Sequence, residues 1–352
     1  MEHPLRHSSF ARALSAIQEH QQGHHGWSIL HAAIHHLHAA GHTHLHDILD
    51  ACWMRRPHIS DSHLITLVSI ALREIVLKRP VGAIIFRPEY TTAERTAELA
   101  TLLAEHRGEL VDSICHHSNS FTGARRFIVP QLVIGAFASA HRLTDVRFLD
   151  LGTGLGILPR QLNQHKVFHR FAADLRWNGL RVGYREIPLS LRHGVDADPL
   201  PSLDWVRTCF GPSAYYEERF EELVWSLEQT AQLSDEITIS ALNILELDRL
   251  HDYIRLHRFN AITCSFVLYQ YDEEIRHSIV ATVVKALEQP GVLVSMEPSH
   301  DGLVRQGCRV EAYLAGGGQP VHLADVSDAH FIGRASWRRR GLETLRTSWR
   351  AR

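Results

Sequence analysis

The stretch that most constrains this 352-residue chain is Arg147-Phe148-Leu149-Asp150-Leu151, running into Gly152-Thr153-Gly154-Leu155-Gly156-Ile157-Leu158. A short, mostly apolar run that stops at alternating glycines and passes into helix-compatible residues reads as a buried strand, a tight turn and a helix start. Glycine at such a turn lets the backbone approach a ligand more closely than any side chain permits. A dinucleotide fingerprint wants its third glycine one residue later, where Ile157 stands, and no acid inside the strand. Asp150 precedes the first glycine by two positions. An acid there suits a positively charged ligand group and would repel a pyrophosphate.

Length allows one large or two modest domains with a full core. Apolar residues make up 45% and charged residues 22%, which places the chain with globular rather than disordered or membrane proteins. The net charge of -2 argues against a broad electrostatic footprint, so no nucleic-acid partner is expected. Cys52, Cys115, Cys209, Cys264 and Cys308 are scattered without a Cys-x-x-Cys pair, the pattern of a reduced protein. The first residues lack the basic-then-apolar order of a signal peptide, and no apolar run is long enough to span a bilayer. A cytoplasmic location without membrane contact is therefore expected.

The 27 histidines cluster most densely at His31, His35, His36, His38, His42, His44 and His46. His31 and His35 stand one helical turn apart, which raises the question of a metal. A zinc site also needs a further ligand in a defined place, and nothing in this spacing supplies one. The run reads as the polar surface of helices, and no metal is expected.

From Ser9 to about Leu110 the periodicity is helical. Its apolar stripes are Phe10, Leu14, Ile17; then Trp27, Leu30, Ile34, Leu37; then Leu64, Val68, Ala71, Ile75, Val76. Ser60-Asp61-Ser62 supplies N-cap chemistry for the last stripe and Pro80 a stop. Thr91-Thr92-Ala93-Glu94 before Leu99, Leu102 and Leu103 is a second capped start. An N-terminal helical domain or cap is expected over residues 1–135, with a sheet domain over 136–352. The polar segment His116–Arg126 breaks two helical stretches just before the central strand. It is either a plain inter-helix loop or a source of substrate contacts.

Beyond the glycines, Pro159 belongs in the first turn of a helix over Leu155–Gln164. Two acids then compete for the end of the second strand, where ribose hydroxyls would be held. Asp174 has the standard spacing from Gly156, and Asp196 has the better strand before it but requires an insertion. Later strands are read at Glu236–Asn243, at Phe259–Leu268 ending in Tyr269-Gln270-Tyr271, and at Val292–Met296 followed by Glu297. A closing antiparallel pair is read at Arg309–Leu314 and His330–Trp337, linked through Gly316-Gly317-Gly318. The basic tail from Arg338-Arg339-Arg340 reads as a solvated terminus.

The Asp150–Gly156 segment resembles motif I of the class I S-adenosylmethionine-dependent methyltransferases. A narrower resemblance is to an uncharacterised bacterial family of methyltransferase-like proteins, known as a domain of unknown function. It rests on Arg192-His193-Gly194-Val195-Asp196-Ala197-Asp198-Pro199-Leu200, on Asp204-Trp205-Val206-Arg207-Thr208-Cys209-Phe210-Gly211-Pro212 with Arg219 beyond, and on Ser265-Phe266-Val267-Leu268-Tyr269. Ser295-Met296-Glu297-Pro298 and Asp174-Leu175-Arg176-Trp177-Asn178-Gly179 extend it. It spans about Ser113 to Pro298. The chain departs from it at Asn119-Ser120-Phe121-Thr122, where the family has a Gln-Thr-Asn-Glu-like stretch, and at Gly152-Thr153-Gly154, where the family often has alanine-serine and this chain keeps the general methyltransferase form.

The resemblance implies an α/β, Rossmann-like class I methyltransferase sheet with an N-terminal helical domain. It also implies an inserted hairpin near residues 168–190 that contains Asp174, leaving Asp196 as the ribose acid. S-adenosyl-L-methionine would be bound by Asp150, Gly152, Thr153, Gly154, Gly156, Asp196, Asn243 and Ser265, with Asn243 facing the adenine. The implied activity is methyl transfer to a small molecule or peptide. A degenerate fold acting as a non-catalytic binding or scaffold subunit is the alternative. Substrate-side candidates are Tyr269, Tyr271, Glu297 and Arg125, although strand-end Tyr and Glu also suit anchoring of adenine or helix capping. The helical domain and the His116–Arg126 loop are expected to cover the carboxyl edge of the sheet. Arg125 would then lie near Tyr269, Tyr271 or Glu297 and offer a bidentate contact to a substrate carboxylate.

Overall fold

Apolar periodicity in the first part of the chain becomes the helices α1 (His3–His20), α2 (His25–Ala39), α3 (Thr43–Arg55), α4 (Asp61–Lys78), α5 (Thr92–Glu105) and α6 (Arg107–His116) in this computed structural model, which describes residues 3–20, 25–79, 82–299, 307–317 and 319–347. Pro80 and Gly318 lie outside those residues. The chain forms two units. The first comprises Met1–Phe121, Ser202–Phe220 and Gln270–Asp272, and the second Thr122–Pro201, Glu221–Tyr269 and Glu273–Arg352.

In the first unit α4 is the central helix, with Leu64, Ile65, Leu67, Val68, Ile70, Ala71, Leu72 and Ile75 all buried. That is apolar cover around the whole helix rather than the single stripe its spacing suggested, as befits a helix surrounded by others. Ser60 caps it by accepting from the His63 N–H at 3.3 Å. Thr91 and Glu94 form a capping box on α5: Thr91 Oγ1 accepts from Glu94 N–H at 3.2 Å, and the Glu94 carboxylate accepts from Thr91 N–H at 2.8 Å. Helix Leu203–Cys209, which carries the tryptophan-bearing segment of the resemblance, belongs to this unit. There Trp205 stacks on His117 and donates its indole N–H to Ser118 O.

The second unit is built on one sheet of β1 (Val146–Leu151), β2 (Leu175–Asn178), β3 (Leu189–Asp196), β4 (Thr238–Ala241), β5 (Ala261–Ser265), β6 (Val292–Pro298), β7 (Cys308–Leu314), β8 (Val321–Val326) and β9 (Gly333–Trp337). Their order across the sheet is β2-β9-β8-β7-β6-β5-β1-β3-β4. The run β4-β3-β1-β5-β6 is parallel throughout. The chain goes from β1 to one side and later returns to its other side, so the topological switch point lies between β1 and β5, as in a Rossmann-like α/β fold. β1 is buried on both faces at Phe148, Leu149, Asp150 and Leu151, as a strand central to a parallel sheet must be.

Three expectations need correction. Helix α7 (Ile128–His141) straddles the expected boundary at 135/136 yet lies wholly in the second unit, because its residues from Ile128 to Ala138 are all buried and it packs on β6 and on the helix Arg339–Thr347. No hairpin forms near 168–190. Instead β2 is a lone strand parallel to β9 at the far edge of the sheet, with Trp177 stacked on Trp337 at 4.7 Å. Its alternating burial is that of an edge strand with one packed face. The closing pair is in fact a three-stranded antiparallel meander, since β8 lies between the two strands read from sequence. Its half-polar residues Val321-His322-Leu323-Ala324-Asp325-Val326 carry too weak an alternation to stand out.

Loss of the reciprocal cap on α5 should be measurable. Thr91→Ala is expected to lower the stability of the first unit by about 1 kcal/mol and Thr91→Asp to leave it nearly unchanged, read as the shift in urea midpoint.

Candidate functional site

Strand register aligns the carboxyl ends of the parallel strands. Asp150 stands opposite Gly194 and Thr263, Asp196 opposite Ala241, and Ser265 opposite Met296, one residue before Glu297. Gly152, Gly154 and Gly156 follow β1 with φ of 68°, 57° and 68°. A side chain in that left-handed region costs roughly 1–2 kcal/mol per residue, so glycine is required by conformation at each step of the turn. Gly152 and Thr153 donate to Val195 O at 2.9 and 3.0 Å, which ties the loop to the end of β3. The helix α8 (Ile157–Gln161) begins at Gly156 and holds Pro159 near its start, and Arg192 donates to its last carbonyls at Pro159 and Leu162.

Asp196 folds back onto the turn. Its Oδ2 accepts from Gly154 N–H at 2.7 Å and its Oδ1 from Ala197 N–H at 2.8 Å. Burial raises its pKa, partly offset by those two N–H donors. Asp150 is buried and accepts from the Thr263 hydroxyl at 2.6 Å. Burial first, and then the nearby Asp196, push its pKa up to about 7 against the lowering effect of the Thr263 and Thr153 hydroxyls. Two carboxylates thus face one glycine turn in a poorly solvated place. Ser265 Oγ, at the carboxyl end of β5, is buried without a hydrogen-bond partner among the described residues. Asn243 follows β4, and its Oδ1 accepts from Leu245 N–H at 3.0 Å, leaving its amide N–H groups and a second lone pair.

Contacts of the glycine turn are made by the protein itself. A Cβ on Gly154 would come within 2.8 Å of Thr122 Oγ1, and one on Gly152 within 2.3 Å of Val267 Cγ2. Thr122, from the polar His116–Arg126 segment, therefore sits against the turn. A bulky residue at Gly154 would first meet Thr122 and its own backbone strain, not open ligand space.

Glu297 holds the turn after β5. Its carboxylate accepts from the backbone N–H groups of Val267, Leu268 and Tyr269 at 3.2, 3.0 and 3.1 Å. Burial raises it to about 7 despite those donors and the nearby Arg126 charge. With its oxygens engaged in this way, Glu297 positions the loop that ends β5. β5 stops where Phe266 adopts φ of 56°, a left-handed conformation rare for a bulky residue, while donating to Met296 O at 2.7 Å. Such strain persists only where surrounding contacts enforce it, and here the Arg126 guanidinium lies 3.8 Å from the Phe266 ring centre.

Of the four substrate-side candidates, Tyr269 and Glu297 are brought together within the second unit. Tyr271 belongs to the first unit, where it pairs with Ile59. Arg125 is the clearest correction. Its guanidinium is filled by Glu222, through Nε at 3.0 Å and Nη2 at 2.6 Å, and by Asp174 at 2.7 Å, and it lies over Phe171. No fork remains for a substrate carboxylate. Asp174 is half exposed in that ion pair, whereas Asp196 is the acid that lies at the glycine turn. The arginine facing Glu297 and Tyr269 is Arg126, which sequence reasoning passed over. Burial lowers its pKa to about 10, and Tyr269, Cys308, Glu297 and Asp328 support its charge. The Arg125-Arg126 tandem was the only visible signal, and nothing local distinguishes its members.

No protein-family model and no curated protein matches the chain. It is similar to a solved structure titled "PigF with SAH", with 14% identity over 66% of this chain and 74% of that one and a TM-score of 0.26. The fold assignment rests on the strand order and not on that likeness. Among the described residues no helix is long and apolar enough to cross a membrane.

Two outcomes follow from these environments. Arg125→Ala removes the buried guanidinium shared by Glu222 and Asp174 and should destabilise the second unit by about 1.5–3 kcal/mol in chemical denaturation. Asp150 has a folded pKa of about 7 against an unfolded value near 3.8. Its stabilising effect is therefore full below the unfolded value and lost as pH rises towards 7. Stability of Asp150→Asn relative to wild type should shift in the variant's favour by about 2 kcal/mol between pH 5.5 and 8.5.

Proposed function

We propose that this chain is an S-adenosylmethionine-dependent methyltransferase whose acceptor is a small molecule or peptide. The observation that carries the reading is the pairing of a left-handed Gly-x-Gly-x-Gly turn with two carboxylates, Asp150 and Asp196, at the carboxyl ends of adjacent parallel strands beside the switch point. The donor set fits the cofactor's chemistry. Carboxylates with raised pKa favour a ligand that brings positive charge, and Ser265 Oγ is a buried polar atom without a hydrogen-bond partner among the described residues. A dinucleotide would meet the same acids with its phosphates.

When bound, the cofactor supplies an activated methyl group on a sulfonium, so the protein's work is alignment, exclusion of water and handling of a proton. Gly152, Thr153 and Gly154 present the turn, and Asp196 would accept from the ribose hydroxyls with lone pairs left over from Gly154 and Ala197. Asp150 and Ser265 would meet the amino-acid end, and Asn243 the adenine. Tyr269, held by Glu297 through its backbone, and Arg126 are the polar groups next along the same edge. Arg126 brings a buried positive charge to that edge, where it would steady developing negative charge.

Calorimetry with S-adenosylmethionine tests the reading. Asp196→Ala should weaken binding by about 2 kcal/mol or more, and Asp174→Ala should leave it within error of wild type. NADH should not bind. Wild-type protein that binds neither compound would overturn the proposal in favour of a non-catalytic subunit.

A further inference from the structure

The histidine-rich part of the first unit is not uniform. His31 is buried and hydrogen-bonded to Ser69 Oγ at 3.0 Å, while His35 Nε2 faces Ser15 Oγ at 3.4 Å. The pair suggested by helical spacing therefore does not converge. A different set does. One ring nitrogen each from His7 of α1, His38 of α2 and His46 of α3 lie within 4.8 Å of one another. His7 Nδ1 and His38 Nε2 are 3.3 Å apart, and the His46 ring centre is 4.3 Å from that of His7 and 4.9 Å from that of His38. Nitrogens bound to one tetrahedral zinc at about 2.0–2.1 Å stand roughly 3.3–3.4 Å from each other, so two of the three already have ligand spacing.

Proton placement agrees with that geometry. His7 Nε2 lies 3.1 Å from Asp50 Oδ1, one turn after His46 on α3. With the proton on Nε2, donated to the carboxylate, His7 turns a lone pair on Nδ1 toward His38 Nε2. This is the carboxylate–histidine arrangement that orients a metal-bound imidazole. His46 Nε2 is buried with no hydrogen-bond partner among the described residues, a cost that an ion would remove.

We propose that His7, His38 and His46 form a binding site for a divalent transition-metal ion of the zinc class, with Asp50 orienting His7. Three imidazoles suit zinc, cobalt or nickel and not the oxygen-seeking magnesium or calcium. The fourth position falls to water or an outside donor. The site joins three helices of the first unit and is independent of the methyltransferase reading.

The test uses full-length, untagged, chelator-treated protein titrated with zinc(II) by calorimetry, with cobalt(II) absorption reporting geometry. One equivalent should bind at sub-micromolar dissociation constant, with the visible bands of tetrahedral cobalt. His38→Gln and His46→Gln should each weaken it at least 100-fold, and Asp50→Asn about 10–100-fold. His7→Gln serves should either core variant fail to fold. His169→Gln, which removes a surface pair with His165 at 2.8 Å, should change nothing. Binding that survives loss of His7, His38 or His46, or that disappears with His169, would overturn the proposal.

Discussion

The second unit depends on a backbone that turns left-handed three times at the end of β1. No side chain tolerates that path cheaply, and the neighbours are shaped to it. Gly194 lacks a Cβ where one would fall 2.5 Å from Thr153 Oγ1, and Val267 packs where Gly152 has none. The turn is then locked from the adjacent strand by Val195 O and by the Asp196 carboxylate on Gly154 N–H. Parallel pairing of β1 with β3 is what delivers that carboxylate, since Leu151 stands opposite Val195 and Asp196 comes next.

A second anchor works on the other side of β1. Glu297 gathers three consecutive backbone N–H groups, and Phe266 takes a strained conformation under the Arg126 guanidinium. A carboxylate that accepts from several N–H groups would ordinarily have a low pKa, yet burial outweighs those donors here and raises it. Neighbouring arginines divide the labour. Arg125 is consumed by Glu222 and Asp174 and ties α7's approach to the helix Ala214–Gln229, whereas Arg126 brings its charge to the strand ends.

Histidine plays three separate parts in this chain, decided by surroundings rather than spacing. His31 and His63 are desolvated core residues whose pKa values fall with burial. His165 and His169 of the second unit form an exposed helical pair. Among the described residues, His7, His38 and His46 converge from three helices.

Much was legible in the sequence because its signals are local. The apolar run with its glycine turn, the capping box at Thr91 and Glu94, and the strands around Val195, Ile262 and Val294 follow from periodicity and from which residues tolerate φ above zero. The strand before Asp196 could be read, whereas the preference for Asp196 over Asp174 as ribose acid came from the resemblance and not from local pattern. Tertiary structure alone decided the rest. Whether Arg125 or Arg126 faces the strand ends depends on which meets Glu222, 97 positions away. The partner of β2 is β9, far along the chain, and the third histidine of the cluster, His7, lies 31 residues before His38. Ion pairs, edge pairing and converging ligands are contacts between distant segments, and short-range pattern carries no record of which distant segment a residue will meet.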